Sequence, residues 1–404
     1  MTTTAAPLVA EPATRNGRLI VVIVSYLIFV TLGMMDGMVG VAFPAIRGEF
    51  GLPLDAFGLI FIASTIGFLA SSFIVGRLLN HFRTSHFLIA AGVLRASGMF
   101  AIALLPSWWG LIAATLFIGF ASGMLDAGMN TWFAMRFSPR LMSWLHASFG
   151  LGATIGPIFL ASLLTGGFSW HWGYAMMAAL QLLVAVIVIV TRTRWQIPPS
   201  MIQEVDASSK PKARITGMET IVLPAVWLGI AVFFFYTGVE LTASNWAFSI
   251  FTESRGVSLA AAGFWTSAFW ATFTAGRIFF GFVTVKSLAN LLRACLVGAL
   301  AGGLLFAWAP LPIVGFLGLA FMGFCLAPVF PLLVSETPQR LGVDVAQHAI
   351  GFQVGAASLG IAVIPSFAGV LAQRTTLESI PLFVIATCVV LIALHEWMVR
   401  TARH

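Results

Sequence analysis

Three carboxylates lie inside long apolar runs of this chain: Asp36, Asp126 and Glu240. The remaining eleven of its 14 acids fall in tails, loops or run ends. A charge at the centre of a bilayer costs about 2.5–3.5 kcal/mol on insertion scales, so such a residue normally faces a water-filled cavity and marks an ion or solute path. A carboxyl group that is neutral and charged by turns can carry a proton. Asp126 stands about ten residues from the end of its run, roughly 15 Å at 1.5 Å per residue, which is near a bilayer midplane. Asn130 follows one turn later on the same face. An acid and an amide so placed suit a proton together with a polyhydroxyl or amide solute. Glu240 has Tyr236 and Ser244 one turn away on either side, then Asn245 and Trp246, and Gly229 and Gly238 allow bending. A polar, glycine-interrupted stretch of a spanning helix points to a binding site. Aromatic rings beside polar groups suit the apolar face of a sugar or another ring. Trp270 and the mid-run amide of Gln353 extend this set, with Trp132 and Trp265 as further aromatic candidates.

Other polar residues have less decided roles. Arg95 lies at the depth of Asp126, which leaves two arrangements open: a salt bridge to Asp126, or a lipid-side position from which the guanidinium snorkels. His146, counted from the turn at Ser138–Pro139, reaches the depth of Asn130. It is either a proton relay or a packed, hydrogen-bonded histidine. Arg77 and Arg277 close two corresponding runs and read as gating or structural residues that bind helix C-termini, acids or lipid phosphates. Gly152, Gly156 and Pro157 are expected to give close packing and a bend. No GxxxxGK[ST] loop, nucleophile–base set or metal cluster is visible. Cys295, Cys325 and Cys388 all sit in apolar runs without a CxxC. The sequence therefore predicts no enzyme, no cofactor, no metal and no ATP-driven step.

The elements that must position these residues follow from composition. The chain has 404 residues, 59% hydrophobic and 9% charged, with a mean hydropathy of +0.99. Soluble domains carry about 25% charged residues, so this is an all-α polytopic membrane protein. Twelve apolar segments run near 19–45, 54–81, 85–105, 108–136, 141–166, 171–195, 219–251, 257–284, 287–309, 312–337, 345–372 and 378–400. They are too long and too continuously apolar for barrel strands. This divides the chain into a tail (1–18), a six-helix half (19–195), a polar linker (196–218), a second six-helix half (219–400) and a short tail (401–404). The first 18 residues lack a signal-peptide pattern. The net charge of +7 reflects loop arginines and lysines rather than nucleic-acid binding. With the N-terminus inside, 16 of the 21 Lys and Arg are cytoplasmic and only Arg47, Arg255 and Arg374 are outside. Both termini are accordingly expected in the cytoplasm.

The halves repeat. Gly76-Arg77 and Gly276-Arg277 end the second and eighth runs, Leu116–Phe120 mirrors Ala320–Phe324, and Ala153–Gly156 mirrors Ala357–Gly360, the last two at an offset of 204. On these features the chain resembles the major facilitator superfamily over nearly its whole length. Leu125-Asp126-Ala127-Gly128-Met129-Asn130, the run Ser148–Pro157, and Tyr236-Thr237-Gly238-Val239-Glu240 with Asn245-Trp246 are most similar to its fucose:proton symporter-like branch and related bacterial inner-membrane permeases. Two features depart from that pattern. Asn80 replaces the acid of the loop after the second helix, which removes the basis for a latch there. The first-helix acid, Asp36, lies one turn earlier than in sugar symporters, where Gly40 stands here. The resemblance implies two pseudo-symmetric six-helix halves with the site between them. It also implies a monomer in the inner membrane that moves a small polar solute, with a proton preferred to sodium as coupling ion. The alternative is a proton-coupled exporter of amphipathic drugs or lipid-like compounds, suggested by 36 Phe, 13 Trp and the glycine-rich fifth run.

Overall fold

The computed structural model describes residues 15–134, 136–196, 217–282 and 287–401. Among these residues there are helices and turns and no strand. The helices are α1 (Arg15–Phe50), α2 (Phe57–His81), α3 (Thr84–Leu104), α4 (Trp108–Ala134), α5 (Pro139–Thr165), α6 (Trp170–Val190), the single turn α7 (Gly217–Ile221), α8 (Pro224–Ser249), α9 (Leu259–Phe282), α10 (Leu288–Trp308), α11 (Pro312–Leu326), α12 (Val329–Leu341), α13 (Val343–Arg374) and α14 (Ser379–Thr401). Each of the twelve apolar segments coincides with a helix to within a few residues. The tenth is the pair α11 and α12, separated at Ala327–Pro328 because Pro328 has no N–H to continue the ladder. Most of the N-terminal tail and of the linker lies outside the described residues.

Among the described residues, eleven spans are long and apolar enough to cross a membrane, α11 and α12 counting as one. Besides the single turn α7, the described helix outside that set is α9, which spends positions on Thr266, Ser267, Thr272 and Thr274. Two of these join it to neighbouring helices: Ser267 Oγ accepts from Ile158 N of α5 at 3.0 Å, and Thr272 donates to Ala320 O of α11 at 2.7 Å. The polar residues that lower its apolar character thus serve packing.

Helices α1–α6 pack chiefly among themselves, as do α8–α14, and the two sets meet through α5–α9, α2–α13 and α1–α8. The internal repeat is visible in the glycine contacts. A Cβ on Gly98 of α3 would meet Ile118 and Ala114 of α4, and one on Gly302 of α10 would meet Met322 and Gly318 of α11, every residue displaced by 204. Small residues let helix backbones approach closely in a bilayer, where hydrophobic burial cannot drive packing. The fifth and eleventh spans show the same close approach: a Cβ on Gly152 or Gly156 of α5 would lie 2.0 Å from Val30 O or 2.3 Å from Met34 O of α1, and one on Gly360 of α13 would lie 2.1 Å from Phe234 O of α8.

The near face of the molecule holds the start of α1, and the far face holds its end. The four side-chain hydrogen bonds that join the two helix sets among the described residues all lie toward the far face. They are Arg47 to Glu253 at 2.6 Å, Leu54 N to Gln373 at 2.7 Å, Ile158 N to Ser267, and Ser366 to Gly58 O at 3.2 Å. Beneath the Arg47–Glu253 pair, Phe43 stacks on Phe57 with centroids 4.1 Å apart. Trp246 meets both rings edge-on at 5.9 and 5.0 Å, its indole held by Pro365 O at 3.1 Å. These contacts close the interface between the sets on that side.

Candidate functional site

Asp36 lies on α1 between fully buried turns, yet its own side chain is exposed. A residue in the middle of a spanning helix combines those properties by facing a space inside the protein. Its face of α1 is the one turned toward the second helix set. Seven residues on, Phe43 meets Trp246, and four residues on, the Cα of Gly40 sits so close to α8 that a Cβ would stand 2.4 Å from Asn245 O. Seven residues back, Phe29 meets the His146 ring of α5 edge-on at 5.8 Å. Asp36 therefore lies about 10 Å from the Phe43 layer, at 1.5 Å per residue, with the aromatic closure on its far side.

Asp126 of α4 and Asp36 act on each other electrostatically. Asn130 donates to Asp126 Oδ1 at 3.2 Å, and its own Oδ1 is buried without a partner. Both residues are half-buried. The amide thus holds the carboxylate while keeping an acceptor free for a hydroxyl or N–H.

Arg95 departs from both arrangements that its depth suggests. It is fully buried, so it does not snorkel, and it makes no ion pair with Asp126 among the described residues. Its Nε donates to Ser122 at 3.0 Å, Nη1 to Gln181 Oε1 at 2.8 Å, and Nη2 to Thr31 O at 3.1 Å. Thr31 also donates to the same Gln181 oxygen at 3.0 Å. Its positive charge acts on Asp36. Buried charges need hydrogen bonds from all sides, and here three helices supply them through neutral oxygens. Sequence reasoning misses Gln181, Thr31 and Ser122. The available signal is depth: Arg95 and Gln181 each lie near the middle of a 21-residue helix, and α3 packs on α6.

A second polar group lies across the interface. Tyr236 donates to Leu326 O at 3.1 Å and acts on Glu240, one turn on. Arg277 of α9 acts electrostatically on both Glu240 and His146. Its guanidinium sits 4.6 Å over the Phe273 ring, and its Nε is buried without a partner. Although its position suggests a helix-end role, Arg277 also lies in the electrostatic reach of the acid of α8 and the histidine of α5. His146 interacts with Phe29 and Arg277, and no hydrogen bond joins it to Asn130 among the described residues.

Other candidates make contacts within the bundle. Asn245 donates to Leu241 O of its own helix at 3.0 Å. Trp246 belongs to the far-face aromatic layer. Trp270 is covered by Phe269 and Phe273. Gln353 is fully buried toward the near face, where its Oε1 accepts from Thr337 at 3.1 Å. Gly152 and Gly156 lie against the α1 backbone at Val30 and Met34, and Pro157 against Gly37. The side chain of Arg77 lies outside the described residues.

Residues 25–353 match the Major Facilitator Superfamily. The chain belongs to that superfamily of membrane transporters, and it is not an enzyme. It is 25% identical to Bypass of stop codon protein 6 of Saccharomyces cerevisiae, over 93% of this chain and 81% of that one. It is likewise 25% identical to sodium-dependent glucose transporter 1A of Mus musculus, over 86% and 88%. Among solved structures it is similar to the nucleoside transporter NupG, with a TM-score of 0.75, 14% identity and coverage of 95% of this chain and 100% of that one. It is also similar to the Escherichia coli fucose:proton symporter FucP, with a TM-score of 0.62, 15% identity and coverage of 94% and 98%.

Proposed function

We propose that the protein moves a small polar solute, sugar-like in its hydroxyl pattern, together with a proton by alternating access between the two helix sets. The observation that carries the reading is the pair Asp36 and Asp126, with the free acceptor of Asn130, on the face of α1 turned toward the second helix set. In this account Asp126 takes up the proton, and Asp36 stays in the field of Arg95. Glu240 and Tyr236, with Arg277 and His146, form the opposite wall and bind the solute. The names of two similar proteins, a glucose transporter and a fucose:proton symporter, support the solute class. The near face is cytoplasmic on the basic-residue asymmetry, in a bacterial inner membrane, with the monomer as the working unit, 19–195 and 219–400 as its two halves and 196–218 as the linker.

The test is solute-driven proton entry into proteoliposomes, with and without sodium. Asp126→Asn is expected to bind solute and to exchange it, but not to accumulate it. Accumulation that follows a sodium gradient and ignores a proton gradient would replace the coupling ion with sodium, as the name of the mouse relative suggests. Normal uphill uptake by Asp126→Asn would remove Asp126 from the coupling step.

A further inference from the structure

The near face of the second helix set contains a group of polar donors that the transport site does not use. Arg340, in the last turn of α12, makes no hydrogen bond among the described residues, and its Nε is buried without a partner. Beside it, Gln353 of α13 is fully buried, and its Nε2 has no acceptor. Both donors converge on Gly229 of α8. A Cβ there would stand 2.4 Å from Gln353 Nε2 and 3.3 Å from Arg340 Nη2. His395 of α14 is fully buried, with neither ring nitrogen hydrogen-bonded, and it lies in the field of Arg340. Burying a donor without a partner costs about 1–3 kcal/mol, more when it is charged, so these groups are arranged for an acceptor that they lack within the chain.

The carboxylates nearby do not supply it. Glu336, one turn before Arg340, makes no ion pair with it and leaves Oε2 unpartnered. Glu396 is taken by Arg293, which donates to it at 2.5 and 2.9 Å, and it approaches His395 only to 3.7 Å. Against Arg340 opens a cavity of about 60 Å³ lined by Ala225, Leu228, Arg340, Leu341, Met398 and Thr401. That volume admits a small oxyanion. Its wall is apolar apart from Arg340 and Thr401, and it opens where α8 begins and α12 and α14 end. Basic pockets between spanning helices at such a level suit anionic headgroups, and a guanidinium binds phosphate through two parallel donors.

We infer that Arg340, backed by Gln353, forms a binding site for a phosphate oxyanion on the near face between α8, α12 and α14. The shared chemistry is a phosphate group, carried by an anionic phospholipid or free in solution.

The experiment is thermal unfolding of the full chain in micelles doped with phosphatidylglycerol or phosphatidylcholine. A parallel pair uses sodium phosphate or sodium chloride at matched ionic strength. Phosphatidylglycerol is expected to raise the unfolding temperature above the phosphatidylcholine value, and Arg340→Gln is expected to erase the difference. Arg293→Gln, at the paired arginine, is expected to keep it. A shift with lipid alone assigns the site to a headgroup, and a shift with inorganic phosphate as well assigns it to the oxyanion itself. Should Arg340→Gln fail to fold, Arg340→Lys and native mass spectrometry of bound phosphatidylglycerol serve instead, the lysine retaining charge but losing the two-pronged grip. No shift from either source, or an equal shift in the Arg340 variants, would overturn the site.

Discussion

The Arg47–Glu253 ion pair joins the two helix sets on the far face, and its removal should open that face to a calculable extent. The pair is 2.6 Å long with side chains 28% and 25% exposed. Ion pairs of this exposure contribute about 0.2–1 kcal/mol, and about 1 kcal/mol changes a population about fivefold. Glu253→Gln is therefore expected to raise the population open to the far face by up to about fivefold, and less at high salt because the Debye length shortens. Ser249→Cys provides a reporter: Ser249 is fully buried near the far end of α8, its hydroxyl has no partner, and a thiol is nearly isosteric. The three native cysteines are buried and give little background. The assay is the rate at which maleimide labels the introduced thiol in membranes. Arg47→Gln should act like Glu253→Gln, and the double variant should equal either single one, since both remove the same interaction. The charge swap Arg47→Glu with Glu253→Arg should restore slow labelling. Additive effects of the two single variants, or no change in either, would refute the pair as a closing contact.

Further outcomes follow from the same geometry. Gly152→Leu should destabilise the α1–α5 contact by at least the roughly 1–3 kcal/mol typical of overpacking, because even its Cβ would lie 2.0 Å from Val30 O; thermal unfolding in detergent measures this. Glu240→Gln should weaken solute binding more than it weakens coupling, and an unchanged dissociation constant would count against its role. Glu378, in the far-face turn before α14, should make stability acid-sensitive. Burial raises the proton affinity of its carboxyl, but hydrogen bonds from Arg255 at 2.9 and 2.7 Å and from Ser254 at 2.8 Å outweigh that and hold its pKa below the ordinary value. A lowered folded-state pKa gives stability that is present above the unfolded value, about 4.3, and lost as pH falls through the folded one. The unfolding temperature should thus drop at acid pH in the native chain, whereas Glu378→Gln should be lower at neutral pH and flatter with acid.

What the sequence reveals depends on dimension. Position along a spanning helix is legible, because about 1.5 Å per residue converts a count into depth; this locates all twelve segments and gives Arg95 its correct level. Direction around the helix is harder to read in runs that are apolar on every side. Depth alone therefore leaves Arg95 between a salt bridge with Asp126 and the lipid, although Leu88, Ala91, Met99 and Ile102 lie on the buried face with it. Gln181, the amide at matching depth on α6, is the missing clue. Arg277 is a similar case: its place near the end of α9 suggests a helix-terminal role, and only the packing of α9 on α5 and α8 brings its charge within electrostatic reach of Glu240 and His146. The aromatic candidates divide for a comparable reason. Trp246 belongs to the far-face layer and Trp270 to a phenylalanine cluster, since large rings beside a polar stretch serve packing and binding with the same composition.

The most direct test of the central claim is a single record of internal pH in proteoliposomes as sugars, polyols and nucleosides are added in turn without sodium. The account predicts that one polar solute class acidifies the lumen with the native protein, and that the same solute gives no proton signal with Asp126→Asn although it still binds. A solute-driven proton signal undiminished in Asp126→Asn, or uptake that requires sodium and moves no protons, would contradict it.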